Sequence, residues 1–185
     1  NELNVIEEEI FESRFSTKTL GLTIAPTMSC NMNCPYCYER DATKESEMDK
    51  KTIENIINLV KVQSNHLSTF EVTWYGGEPL LEMNTIETLS SSFVEICDKN
   101  NVEYNAGIIT NGYLLNRNTL EKLKSLNINF IQISLDGDEE YHNKTRCLKN
   151  GEGSFKQIVK NLESFKNIYE DEKCGYPNIS LRVNV

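Results

Sequence analysis

The sequence predicts an α/β domain built on a parallel sheet. Short β-rich runs alternate with stretches of helical periodicity from Leu20 onward, and polar or glycine-bearing residues close the runs where strands would end. The length of 185 residues, with 38% hydrophobic and 25% charged side chains, suits one compact domain with its own core.

The strand signals fall at residues 20–25, 70–75, 103–110, 130–135 and 179–185. After the first of these, Ile53, Ile56, Ile57 and Val60 repeat at helical spacing behind Asp49, a residue type that caps helix N-termini. Ile86, Leu89, Phe93, Ile96 and Cys97 form the next apolar stripe, and Asn84 with Glu87 has capping-box spacing. Cys97 therefore belongs to the predicted core. A third helix is expected over residues 118–126, carrying Leu120 and Leu123, and a fourth opens at Ser154 and Gln157 in capping-box spacing before Ile158, Val159, Leu162 and Phe165. Residues 136–153 read as a polar loop of unusual length, of the kind that is commonly functional. Residues 1–16 read as an acidic leader segment and residues 17–185 as the core domain, ending on a strand-like run without a following helix.

Composition excludes some functions. A net charge of −9 argues against broad affinity for nucleic-acid phosphates or anionic membranes. No apolar run approaches the roughly 20 residues that span a bilayer, and the acidic start is unlike a signal peptide. The expectation is a cytoplasmic protein with no nucleic-acid or membrane partner.

Of the six cysteines, Cys30, Cys34 and Cys37 cluster directly after the first strand. In a chain without secretory features such a group points to metal or redox chemistry rather than disulfides. A structural zinc site needs four protein ligands, and no fourth cysteine or histidine lies nearby. Three thiolates suit a [4Fe-4S] cluster with one iron left open to a ligand. Cys97, Cys147 and Cys174 are scattered and read as ordinary thiols.

Three further segments stand at successive strand ends: Gly76-Gly77-Glu78-Pro79, Thr110-Asn111-Gly112 and Ser134-Leu135-Asp136-Gly137. In parallel α/β architectures ligands bind at the carboxyl ends of the strands, so these turns share one edge. Taken alone, each is an ordinary turn.

The Cys30-x3-Cys34-x2-Cys37 spacing with Tyr36 before the last cysteine, followed by the Gly-Gly-Glu-Pro element, resembles the radical S-adenosylmethionine (SAM) superfamily. The Thr-Asn-Gly and Ser-Leu-Asp-Gly segments, with His142, Arg146 and the stretches Gly151 to Phe155 and Arg182 to Val185, resemble its peptide- and protein-modifying branch, which includes thioether peptide maturases and anaerobic sulfatase-maturating enzymes. The resemblance implies a partial parallel (β/α) barrel, here apparently truncated after the fifth strand. It also implies a [4Fe-4S] cluster on Cys30, Cys34 and Cys37 whose open iron chelates SAM. Reductive cleavage would then yield a 5'-deoxyadenosyl radical that abstracts hydrogen from a peptide or protein.

By the same resemblance Tyr36 lies against the adenine, Gly76, Gly77 and Glu78 receive the SAM amino group, Asn111 and Ser134 contact SAM, and Arg146 reaches its carboxylate. A guanidinium is a fitting bidentate partner for that group. An external electron donor such as flavodoxin or ferredoxin is implied too. No residue is assigned a catalytic role. His142 reads as a solvated side chain or loop hydrogen bond, Asn184 as a candidate near the site, and Cys147 and Cys174 as unassigned. The competing readings are a non-catalytic iron–sulfur or zinc-binding module and an inactive fragment of the same family.

Overall fold

Strands β1 (Thr19–Ile24), β2 (Thr69–Trp74), β3 (Glu103–Thr110), β4 (Ile128–Asp136) and β5 (Asn178–Asn184) lie side by side in chain order, each parallel to its neighbours. Parallel pairing obliges the chain to cross back after every strand, which is the work of the helices between them. The computed structural model describes residues 5–7, 10, 16–39, 47–169 and 175–184. Most of the predicted leader segment, Cys174 and Val185 lie outside these residues. The predicted strands agree with the observed ones to within two residues at either end, wherever both are described.

Burial alternates along β2. Phe70, Val72 and Trp74 are buried, while Glu71 is exposed and Thr73 half-buried. One face of the sheet is therefore apolar and covered, and the other carries Gly21, Thr23, Glu71 and Thr73, paired across β1 and β2. Helix α1 (Lys50–Gln63) starts at Asp49, whose carboxylate accepts the Thr52 N–H at 2.7 Å, as the sequence predicts. Helix α2 (Met83–Asn100) buries Ile86, Leu89, Phe93 and Cys97. The Phe93 ring meets Phe70 edge-on at 5.1 Å and Trp74 at 6.4 Å. Burying side chains of this size contributes roughly 1.5–3 kcal/mol each.

The Asn84–Glu87 capping box does not form. A 3-10 turn over Pro79–Glu82 runs straight into α2 and places its start at Met83, so Asn84 is already inside the helix. Glu87 pairs with Lys122 at 2.6 Å instead. Helix α3 (Arg117–Ser125) begins one residue before the predicted one, capped by Asn116.

The predicted loop over 136–153 contains a short helix, α4 (Glu139–Thr145), with Asp138 accepting the Tyr141 N–H at 2.9 Å. Seven residues are too few to display apolar periodicity. Helix α5 (Phe155–Ser164) starts where predicted, but Ser154 makes no side-chain cap bond and Gln157 donates to Asn161. Asn143 of α4 supplies the cap, accepting the Phe155 N–H at 3.1 Å. No helix among the described residues is long and apolar enough to cross a membrane.

Candidate active site at the strand ends

All five strands deliver residues to one cavity of about 660 Å³. The loop after β1 brings Cys30, Cys34 and Cys37, and Gly76 and Gly77 follow β2. Asn111 stands at the end of β3, Ser134 and Asp136 on β4, Arg182 and Asn184 on β5, and Arg146 just after α4. Nearly every residue that the motifs single out is thus on one wall or another, although their sequence separations are large.

The cysteine loop is gripped from two sides. On one side the Gly77 N–H donates to Thr27 O at 3.1 Å and the Glu78 N–H to Ser29 O at 2.8 Å. This approach is so close that a Cβ on Gly77 would lie 2.2 Å from Ser29 O, and one on Gly76 would lie 2.6 Å from Thr27 O. Glycine at both positions is required by the backbone of the cysteine loop, whatever else the two residues contact. On the other side Asn33 N donates to Cys147 O at 2.9 Å and Lys149 N to Asn31 O at 3.0 Å, around an antiparallel bridge between Met32 and Leu148. Cys147 contributes its carbonyl to the cysteine loop, and its thiol does not line the cavity.

Glu78 is fully buried and does not line the cavity. Its Oε1 accepts the Leu80 N–H at 3.0 Å and the Thr110 hydroxyl at 2.7 Å, and its Oε2 accepts the Asn111 N–H at 2.8 Å. Burial pushes this carboxyl above the usual carboxylate range, and the three donors pull it back. One acceptor position, on Oε2, is left over. Glu78 thereby joins the ends of β2 and β3 and orients Asn111, whose Nδ2 donates to Asn31 Oδ1 at 2.7 Å and lies 3.9 Å from Cys30 Sγ.

Asp136, which the sequence includes in the Ser134 to Gly137 segment, is a hub to which the sequence assigns no role. It is 1% exposed, and its Oδ2 accepts from the Tyr36 hydroxyl while its Oδ1 accepts from Asn184 Nδ2 at 2.8 Å. Arg146 Nη1 donates to the same Tyr36 oxygen at 2.8 Å. Burial, then the carboxylate of Asp136, push the Tyr36 hydroxyl up to about 12, so it stays protonated and bridges the two charges. The sequence signal for Asp136 is its place in the Ser134 to Gly137 segment at a strand end.

His142 is a correction. Of the two alternatives the sequence leaves, a solvated side chain or a loop hydrogen bond, the first is wrong: His142 is 0% exposed, and it is hydrogen-bonded, with Nδ1 at 3.1 Å from Asp136 N and Nε2 at 2.9 Å from Ser154 Oγ. The helix that carries it, hidden in the predicted loop, turns it inward.

The described cysteines are all free thiols. Burial pushes Cys34 up to about 11 and raises Cys30 as well, so binding a metal centre must displace protons from them. Among the described residues no three Cys, His, Asp or Glu side chains converge closely enough to hold a single ion. Three thiols lining one cavity are the donor set of a cubane cluster that leaves one iron open to another ligand. The donor set fits the cluster. Arg146 supplies an independent test of fit for SAM, because the residue lines the cavity and its buried Nε has no acceptor. A buried guanidinium N–H lacking a partner fits an anion that belongs there, and a carboxylate meets it in kind.

The chain resembles several proteins over most of its length. It is 31% identical over 153 residues to the cysteine-type anaerobic sulfatase-maturating enzyme of Clostridium novyi, covering 79% of this chain and 40% of that one. It is 28% identical over 169 residues to the GTP 3',8-cyclase of Clostridium perfringens, covering 88% of this chain and 45% of the cyclase. The fold matches native anSMEcpe with bound AdoMet and Kp18Cys peptide at a TM-score of 0.73 and 24% identity, over 88% of this chain and 42% of that one. The chain spans less than half the length of each of these proteins. The profile of the Radical SAM superfamily, whose cofactors are a [4Fe-4S] cluster and SAM, matches residues 24–177, and the chain belongs to that superfamily.

Proposed function

We propose that residues 17–185 form the core of a radical SAM enzyme that modifies a peptide or protein. Cys30, Cys34 and Cys37 hold the cluster, and Arg146 receives the SAM carboxylate. The single observation that carries this reading is that Arg146, with a buried and unpartnered Nε, lines the cavity that the three thiols share. When bound, the cluster and SAM supply reductive cleavage of the sulfonium to methionine and a 5'-deoxyadenosyl radical. The chain's own residues orient and shield these groups. The grip on the cysteine loop fixes the thiols, Tyr36 and Asp136 hold Arg146 at the cavity, and Ser134 and Asn111 line the path between.

The peptide assignment is supported by the sulfatase-maturating relative and by the motif set over Thr110-Asn111-Gly112, Ser134 to Gly137 and Arg146. The similarity to a GTP cyclase makes a nucleotide the second substrate class. The reading places the enzyme in the cytoplasm, with flavodoxin or ferredoxin as the electron donor.

The deciding experiment is anaerobic iron–sulfur reconstitution, reduction with dithionite and assay for 5'-deoxyadenosine, beside Cys34→Ala. Deoxyadenosine that the substitution abolishes supports radical initiation at this site. Stimulation of that yield by cysteine- or serine-containing peptides, but not by GTP, supports the peptide class, and the reverse pattern replaces it with the nucleotide class.

A further inference from the structure

His142, Ser154 and Arg146 form a hydrogen-bond chain with only one possible direction. The Asp136 backbone N–H can only donate, so His142 Nδ1, 3.1 Å away, accepts. The Arg146 carbonyl can only accept, so the Ser154 hydroxyl, 2.6 Å away, donates to it. That leaves the Ser154 oxygen to accept from His142 Nε2–H at 2.9 Å. The histidine is thereby fixed as the neutral tautomer with its proton on Nε2. His142 and Ser154 are both 0% exposed, so no water competes for either link. The chain also explains why Ser154 abandons the helix cap that its spacing suggests.

The consequence concerns Arg146, which follows the last turn of α4 with φ −132° and ψ 47°. Its N–H is already tied to His142 O at 2.7 Å, so His142 holds the residue on both backbone sides, directly and through Ser154. The other end of the chain is the end of β4, where Asp136 receives the Tyr36 hydroxyl that Arg146 also contacts.

We propose that His142 is a positioning residue, which through Ser154 and Asp136 fixes the backbone of Arg146 so that its guanidinium is set toward the carboxylate of SAM. This rests on the assignment of Arg146 as the partner of that carboxylate. It predicts that the two arms of the histidine are separable. Asparagine at 142 keeps an acceptor near the Nδ1 position and loses Ser154, whereas glutamine keeps a donor near Nε2.

The test measures SAM affinity by equilibrium binding on the reconstituted protein, together with iron content and the change that SAM causes in the EPR signal of the reduced cluster. His142→Asn and Ser154→Ala are each expected to weaken SAM about tenfold, the worth of one lost hydrogen bond in a site of this kind, with iron per chain unchanged. Combining them is expected to cost no more than either alone, because they break one chain. His142→Gln is expected to stay within about threefold of the parent. Ser154→Ala reaches the same link from the far side and decides the matter if His142→Asn does not fold. Unchanged SAM affinity in an iron-loaded Ser154→Ala protein overturns the proposal while leaving Arg146 its role, provided Arg146→Ala weakens SAM. If Arg146→Ala also leaves affinity unchanged, the assignment of Arg146 and the proposal fall together.

Discussion

Arg146 reaches the Tyr36 hydroxyl through Nη1 at 2.8 Å, closing a contact between residues 110 positions apart. Tyr36 lies in the cysteine loop and Arg146 beyond α4, so this one bond joins the cysteine loop to the segment after α4, both of which line the cavity. Tyr36→Phe removes the hydroxyl bridge to Asp136 while keeping the ring. SAM binding is expected to weaken by about three- to tenfold, with iron uptake unaffected, as read by equilibrium binding and iron assay. Loss of iron from this variant would show that the hydroxyl serves the loop rather than Arg146.

The cysteines divide by burial and by what they face. Cys34→Ala is expected to abolish assembly of a complete cluster. Cys97→Ala, a change inside the core at a position 1% exposed, should keep full iron content and cost about 1–2 kcal/mol of stability. Iron and sulfide analysis beside a denaturant titration separates the two effects, and a Cys97 variant that lost iron would contradict the core assignment.

Gly77 leaves no room for a methyl group, with Ser29 O at 2.2 Å and Met28 O at 2.5 Å from an ideal Cβ. Both obstacles are backbone, so the cysteine loop itself must move. Gly77→Ala is expected to cost about 1–3 kcal/mol and to lower iron loading, because the displaced segment leads directly into Cys30. Thermal unfolding of the iron-free protein measures the first part independently of the second.

Glu78→Gln looks conservative and is expected not to be. Two backbone N–H groups and the Thr110 hydroxyl converge on the two carboxylate oxygens, and an amide offers only one oxygen. Its NH2 must then face a backbone N–H in a fully buried position, at a cost of about 1–3 kcal/mol. Urea titration at neutral pH reads this directly, and a variant as stable as the parent would mean that the carboxyl is already protonated there.

Burial, and then the nearby Arg146 charge, depress the proton affinity of His142, against a smaller pull from Asp136. The unfolded chain titrates near the ordinary value of about 6.5, so below that pH the unfolded state binds a proton that the folded state refuses. Stability from this group is therefore complete above about pH 6.5 and falls as pH drops toward the depressed folded value. Denaturant titrations between pH 7.5 and about 5 should show this slope, and His142→Asn should flatten it. An identical slope in parent and variant would assign the acid sensitivity to other groups.

What the sequence determines by itself is whatever depends on near neighbours along the chain. Alternation at Phe70, Val72 and Trp74 sets which face of β2 is buried, and helical spacing at Ile53, Ile56, Ile57 and Val60 sets the face of α1. The Asp49 cap, the core position of Cys97 and the cysteine spacing are equally local, and the strand ends follow from where the alternation stops. Strand order was not local, but parallel pairing in chain order leaves few alternatives. The tertiary structure alone decides which side chains meet across the edge. Asp136 becomes a hub only because Tyr36 and Asn184 arrive from other elements, and Ser154 is drawn from its cap because Arg146 O lies beside it. His142 is buried because a helix of seven residues, too short to mark itself by periodicity, turns it under Ser154. Glu78 is sealed from the cavity because β3 delivers Thr110 and Asn111 onto its oxygens. Periodicity encodes the face a residue occupies, and a buried polar group takes its role from partners that only the packing of distant segments supplies.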